Sequence, residues 1–166
     1  MSDLIELSTR QIFPTWLAGG AILRGWARSA CGDAAEGLAW IEGAIEDWMA
    51  TSTILWVSYY LALKAEALYL ADRTCEALGA INEAEELAER FEDRHWCAEL
   101  HRLRGVFLAA IGTDEAQIQA SFCEAVRIAR QQKSISLEKR AEATYAEYQK
   151  QKASGSGGRG FRLPLW

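Results

Sequence analysis

The chain has 166 residues, 50% of them hydrophobic and 25% charged, which is the makeup of one ordinary soluble domain rather than of a disordered or collagen-like chain. A formal charge of −5, from 18 Lys and Arg against 23 Asp and Glu, supplies no basic field for phosphate backbones, so nucleic acid is not an expected partner. No apolar run of about 18 residues or cleavable signal is present, so no membrane association is expected either. Only 2 prolines occur, at 14 and 164, and 4 of the 13 glycines lie in 155–160, so the body of the chain lacks the breaks of turn-rich β architectures and favours long helices. Cys31, Cys75, Cys97 and Cys123 show no CxxC spacing, which predicts a reduced, cytoplasmic protein with buried thiols.

Residues 3–8 read as a short helical piece, followed by a connector that ends at Phe13-Pro14, with Pro14 in the first turn of the next helix. Apolar residues then recur at spacings of three and four through Leu17, Ala21, Ile22, Leu23 and Trp26 toward Gly32-Asp33, where a glycine and an acidic cap suit a tight reversal. The second arm carries Leu38, Ile41, Ala44, Ile45 and Trp48 and stops near Thr51-Ser52-Thr53, whose hydroxyls could cap the helix that follows. A last helix is predicted over 136–152, with Leu137, Ala141, Thr144, Tyr145 and Tyr148 on one face and a dense charged face opposite, as a terminal cap requires. Residues 153–166 read as a flexible Gly/Ser linker with an apolar tag.

An internal repeat organises these elements. Gly37/Ile41/Ala44 reappears 40 residues later as Ala77/Ile81/Ala84 and, after one inserted residue, as Ile118/Phe122/Ala125. A small residue at a hairpin crossing lets two backbones approach, and a larger one three or four positions on fills the adjoining groove. The pattern resembles the tetratricopeptide repeat, whose usual unit is about 34 residues, so longer helices are expected here. The predicted fold is all-α: a right-handed solenoid of antiparallel hairpins at about 14–51, 53–91 and 94–132, closed by the capping helix, with residues 1–13 as the end of a preceding repeat and connector.

Several stretches carry a further resemblance: Leu23-Arg24-Gly25-Trp26-Ala27, Trp48-Met49-Ala50-Thr51, Ala65-Glu66-Ala67-Leu68-Tyr69, Trp96 through Gly105 with its Ala-Glu-Leu-His-Arg-Leu run, Phe122-Cys123-Glu124-Ala125 and Ser136-Leu137-Glu138. Over roughly residues 10–150 they resemble the C-terminal tetratricopeptide region of large bacterial class III adenylate/guanylate cyclase proteins, in which a cyclase domain and a predicted ATPase domain precede such repeats. No P-loop and no pair of metal-binding aspartates is present, so the resemblance implies only the repeat module, as a fragment of a larger signalling protein.

No nucleophile–base pair, phosphate loop or cofactor motif stands out, and neither catalytic, metal nor cofactor residues are assigned. Cys97 and His101 share a helix face, with His95 near, but a zinc site needs four ligands; core packing for Cys97 is the plain reading. The acidic run of Glu83, Glu85, Glu86 and Glu89 reads as a solvated face. Arg24, Arg28, Lys64, Arg102 and Arg104 come from the first helix of each hairpin, the set that lines the concave side of a tetratricopeptide array, and could meet an acidic peptide. Chaperone-binding members of that superfamily place an Asn centrally in their two-carboxylate clamp; this sequence has Trp26, Glu66 and Val106 there. Trp26 and Tyr69 are the expected aromatic contacts in the groove.

Phe161, Leu163, Leu165 and Trp166 form a candidate binding element in the tail. Burying them would return about 8 kcal/mol against roughly 6–12 kcal/mol for ordering six residues, so docking needs a groove already shaped for it. The expected function is non-catalytic protein–protein interaction, with a peptide or a protomer in the concave groove. The alternative is a small-ligand sensor for an attached enzyme.

Overall fold

A computed structural model describes the backbone of residues 2–154 and the side chains of residues 14–154. The fold is all-α, and the described residues contain no strand. The helices are α1 (Ser2–Ala30), α2 (Ala34–Ala50), α3 (Val57–Leu70), α4 (Thr74–Arg90), α5 (Cys97–Ile111), α6 (Glu115–Gln131) and α7 (Ile135–Ala153). Residues 155–166, with the linker and the tag residues Phe161, Leu163, Leu165 and Trp166, lie outside the described residues.

Helix α1 runs without a break through the connector expected at 9–13, and Pro14 lies inside it rather than at its start. No glycine occurs before Gly19, so the only local breaker is one missing N–H, which the turns on either side outweigh. The hydroxyl cap expected for α3 is also absent: the Thr51 hydroxyl donates back to the Trp48 carbonyl at 2.7 Å, and α3 starts after Trp56, whose φ is +73°.

The turns repeat with the sequence. Gly32, Asp72 and Gly112 close the odd helices in the left-handed region, at φ of 102°, 60° and 72°. Ser52, Glu92 and Lys133 follow the even helices at φ of 58°, 55° and 56°. The second series carries the one inserted residue that shifts Ile118 and Phe122, so the 40-residue recurrence is a recurrence of backbone geometry as well as of side chains.

Each helix packs against its chain neighbours, and α1, α3, α5 and α7 also pack in succession, whereas α2, α4 and α6 do not touch one another. The core lies between these two sets. Ile22, Ile41, Ala65, Ala77, Ile81, Leu100, Leu103, Phe107 and Phe122 are buried in it. At the α1–α2 crossing a Cβ at Gly25 would come within 2.7 Å of the Gly37 carbonyl and 2.9 Å of Ile41, and one at Gly37 would overlap Ser29 and the Gly25 carbonyl. Gly105 is held the same way against the Phe122 ring. The small residues predicted at crossings therefore stand where backbones or rings leave no room. The thiols depart from expectation: Cys31, Cys75 and Cys123 are exposed and Cys97 is half-buried, because they occupy the turns and outer faces of the helices.

Candidate functional site

Where the odd helices meet, a chain of polar side chains crosses all four of them. The Trp26 indole Nε1 on α1 donates to Glu66 Oε2 on α3 at 2.6 Å. Arg102 on α5 reaches the other Glu66 oxygen at 3.4 Å and clasps Glu99, one turn earlier on α5, with two bonds of 2.9 and 2.7 Å. Arg140 of α7 lies 3.3 Å from Glu99, and Arg102 also donates to the Thr144 hydroxyl at 3.3 Å. Two carboxylates thus face two guanidiniums, with Glu66, Glu99 and Arg102 buried and Arg140 21% exposed. Buried charges persist only when paired and hydrogen-bonded in this way.

The two carboxylates are shifted in opposite directions. Burial, reinforced by the Glu99 charge, pushes the Glu66 carboxyl above its ordinary value despite Arg102 and Trp26. Burial acts on Glu99 too, yet Arg102 and then Arg140 outweigh it and hold that carboxyl below the ordinary range. Burial also draws Arg140 down. Beside the network is a cavity of about 90 Å³ lined by Tyr59, Leu63, Glu66, Trp96, Glu99 and Arg140. That volume accommodates roughly three waters or the tip of one side chain. Tyr59 and Trp96 stack over it, centroids 4.3 Å apart, and burial raises the Tyr59 hydroxyl.

The residues predicted to line a binding groove divide into three groups. Arg102 is a correction: it is 1% exposed and committed to Glu99, Glu66 and Thr144, so it ties helices together and offers nothing to a peptide. Lys64 pairs with Glu42 of α2 at 3.2 Å, and Arg28 with Asp33 and Glu36, both at 2.7 Å. Arg24 is exposed and lies 4.7 Å over the Trp40 ring. Trp26 is half-buried at the edge of the network, while Tyr69 lies 5.2 Å from the Phe107 ring, away from the Tyr59–Trp96 stack in the chain. The network itself was not anticipated, although the repeat held its signal: one and two repeats before Arg102 stand Ala62 and Ile22, both buried.

On the other side of α5, a cleft of about 640 Å³ runs between α4 and α6, lined by Glu85, Arg94, Cys97, His101, Glu124 and Arg127 among others. Cys97 and His101 do share a face here. Burial raises the Cys97 thiol and lowers His101, while Glu85 lies 3.8 Å from the imidazole and also takes an ion pair from Arg104. Glu83, Glu86 and Glu89 are exposed. His95 is solvent-facing, 3.1 Å from Asp93. At the N-terminal end, Trp16, Trp48, Leu55, Trp56 and Tyr60 line an aromatic pocket of about 360 Å³, and the buried Trp48 indole N–H has no partner. None of the described helices is long and apolar enough to cross a membrane.

Over 132 residues the chain is 30% identical to an uncharacterized protein of Rhizobium meliloti (strain 1021). The similarity takes in 79% of this chain but 13% of that protein, so the chain spans a small part of its relative's length. No family model matches the chain, and no solved structure matches it.

Proposed function

We propose that the chain is a non-catalytic protein-interaction module, a tetratricopeptide-like solenoid that serves as the regulatory or scaffolding repeat region of a larger adenylate cyclase-like signalling protein. The observation that carries this reading is the succession of α1, α3, α5 and α7 as one layer, joined by the Trp26–Glu66–Arg102–Glu99–Arg140 chain. The small share of its relative that the chain spans supports a place within a longer polypeptide. In this reading the odd helices present the concave side, and the Tyr59–Trp96 stack with Arg140 is its recognition surface, where a flat aromatic platform beside a cation suits an extended peptide.

Selection of binders from a displayed random-peptide library tests the proposal. Peptides are expected that lose binding at least tenfold to Trp96→Ala and Tyr59→Ala while helicity is unchanged; binders indifferent to both, or none, overturn the surface. Incubation with MgATP or MnGTP is expected to yield no cyclic nucleotide, and turnover would overturn the non-catalytic reading.

The 640 Å³ cleft favours a second reading, a small-ligand sensor, because cationic and anionic groups converge there around His101. Cyclic AMP is the probe: a rise in Tm abolished by Arg94→Ala and Arg127→Ala supports it, and no rise removes cyclic AMP as the ligand.

A further inference from the structure

The sequence returns tryptophan to one position of the repeat: Trp16, Trp56 and Trp96 stand 40 residues apart. The inner two lie within the array, each just before an odd helix that has other helices packed before and after it. Trp56 is nevertheless 43% exposed, and its neighbours Leu55 and Ile54 are 58% and 47% exposed. Bulky apolar side chains left open together in the middle of a folded array mark an interaction surface.

The backbone points the same way. Trp56 has a φ of +73° and is the one aromatic among the described non-glycine residues at positive φ, the others being Ser52, Asp72, Glu92 and Lys133. Those four follow the last turns of helices, where a left-handed residue commonly closes the hydrogen bonding. Trp56 instead precedes a helix, and Trp96, at the end of a loop of the same length, makes the equivalent entry at φ of −105°. The turn therefore does not require the left-handed form. An aromatic residue held in it is the kind of local strain that collects at ligand sites.

The rings form a row. Trp56 lies 6.2 Å from Tyr59, and Tyr59 lies 4.3 Å from Trp96, centroid to centroid. These steps hold the two indoles no farther apart than roughly one turn of polyproline II helix, which is three residues of about 3.1 Å each. A peptide in that form needs little ordering on binding, turns one ridge of side chains to the row, and docks in aromatic-lined grooves through its prolines. The 90 Å³ cavity beside Tyr59 and Trp96 has room for one pyrrolidine ring.

Charge decides what flanks the prolines. Of the charged side chains that line the cavity, Glu66 and Glu99 are 7% and 6% exposed, whereas Arg140 is 21% exposed. The charge that meets an incoming chain is thus the guanidinium, whose complement is a carboxylate. Stacked rings also receive nucleic-acid bases, but a chain of formal charge −5 offers phosphates no attraction.

We propose that the Trp56–Tyr59–Trp96 row takes a proline-rich peptide in the polyproline II form, with an acidic residue of the peptide set against Arg140. This deepens the reading of the odd-helix layer as a recognition surface and depends on it. The probe is a fluorescein-labelled peptide of three Pro-Pro-Ala triplets followed by two glutamates, titrated with the full chain and read by anisotropy. Saturable binding is expected, weakened at least tenfold by Trp56→Gly, by alanine in place of the peptide's prolines and by lysine in place of its glutamates. Glycine suits a positive φ, so Trp56→Gly is expected to keep wild-type ellipticity, and the two altered peptides need no protein variant at all. No binding, or equal binding of the alanine peptide, overturns the proposal, and equal binding of the lysine peptide overturns the place given to Arg140. Binding of a labelled oligouridylate without the peptide overturns it too, as does self-association that Trp56→Gly abolishes while the peptide stays unbound. Library-selected peptides that need Tyr59 and Trp96 but carry no proline overturn this proposal and leave the recognition surface standing.

Discussion

The indole of Trp26 donates to the carboxylate of Glu66 at 2.6 Å, and the two residues hold the same position in successive repeats. The bond therefore joins one repeat to the next. Trp26→Phe removes a hydrogen bond to a buried charge and is expected to lower stability by about 1.5–3 kcal/mol, read from the urea midpoint at unchanged slope. A shift near zero would mean that water replaces the indole.

Arg102 is expected to be more sensitive. Arg102→Met keeps much of the side-chain volume but leaves Glu99 and Glu66 facing each other in a buried site, at a cost of about 3–5 kcal/mol. Arg24→Met, at an exposed site on α1, is expected to change stability by under about 0.5 kcal/mol. Equal effects would place Arg102 in solvent. Both are read by urea denaturation.

The combined contribution of Glu99 and Glu66 to stability is expected to pass through a maximum near the ordinary glutamate pKa, about 4.3. Glu99 titrates lower in the folded chain than in the unfolded one, so its contribution is complete above that pH and disappears as acid protonates it in the fold. Glu66 titrates higher when folded, so a penalty grows as the pH rises from the unfolded value to the folded one and is complete above it. Glu99→Gln is expected to flatten the acid limb and Glu66→Gln the limb above it, in urea midpoints measured from pH 3 to pH 8.

Two glycines on α2 are expected to respond with opposite sign. Gly37→Ala drives a Cβ into Ser29 and the Gly25 carbonyl and is expected to destabilise by about 1–3 kcal/mol or more. Gly43 faces open space, so Gly43→Ala is expected to stabilise the helix by about 0.5–1 kcal/mol. Thermal unfolding of both variants checks this.

Thiol reactivity separates the cysteines. Cys31, Cys75 and Cys123 are exposed and are expected to react with a disulfide reagent in the native protein, while Cys97, half-buried and with its thiol raised by burial, reacts at least tenfold more slowly. Four equally fast thiols would show that the cleft around Cys97 is open to the reagent.

The helices and their crossings were legible because repetition repeats the physics: Gly25 and Gly105 sit at helix crossings, and the turns at 32, 72 and 112 each place a residue at positive φ. The polar network was not read, because Arg102 looks like any basic residue on a first helix until it is aligned with Ala62 and Ile22. Register, not residue type, decides which way such a side chain points. The thiols were misjudged for the converse reason: small apolar character predicts burial on average, but Cys31 and Cys75 fall in turns or a first helical turn, where the core does not reach. Pro14 predicted a helix start, yet one lost hydrogen bond inside α1 does not outweigh the turns that flank it.

Every helix–helix contact among the described residues joins elements no more than two apart in the chain. No distant segments have to find each other, so little loop-closure entropy opposes the search and folding is expected on the microsecond-to-millisecond scale of low-contact-order proteins. The same locality lets the molecule come apart piecemeal: an end hairpin can open while the middle of the array stays folded.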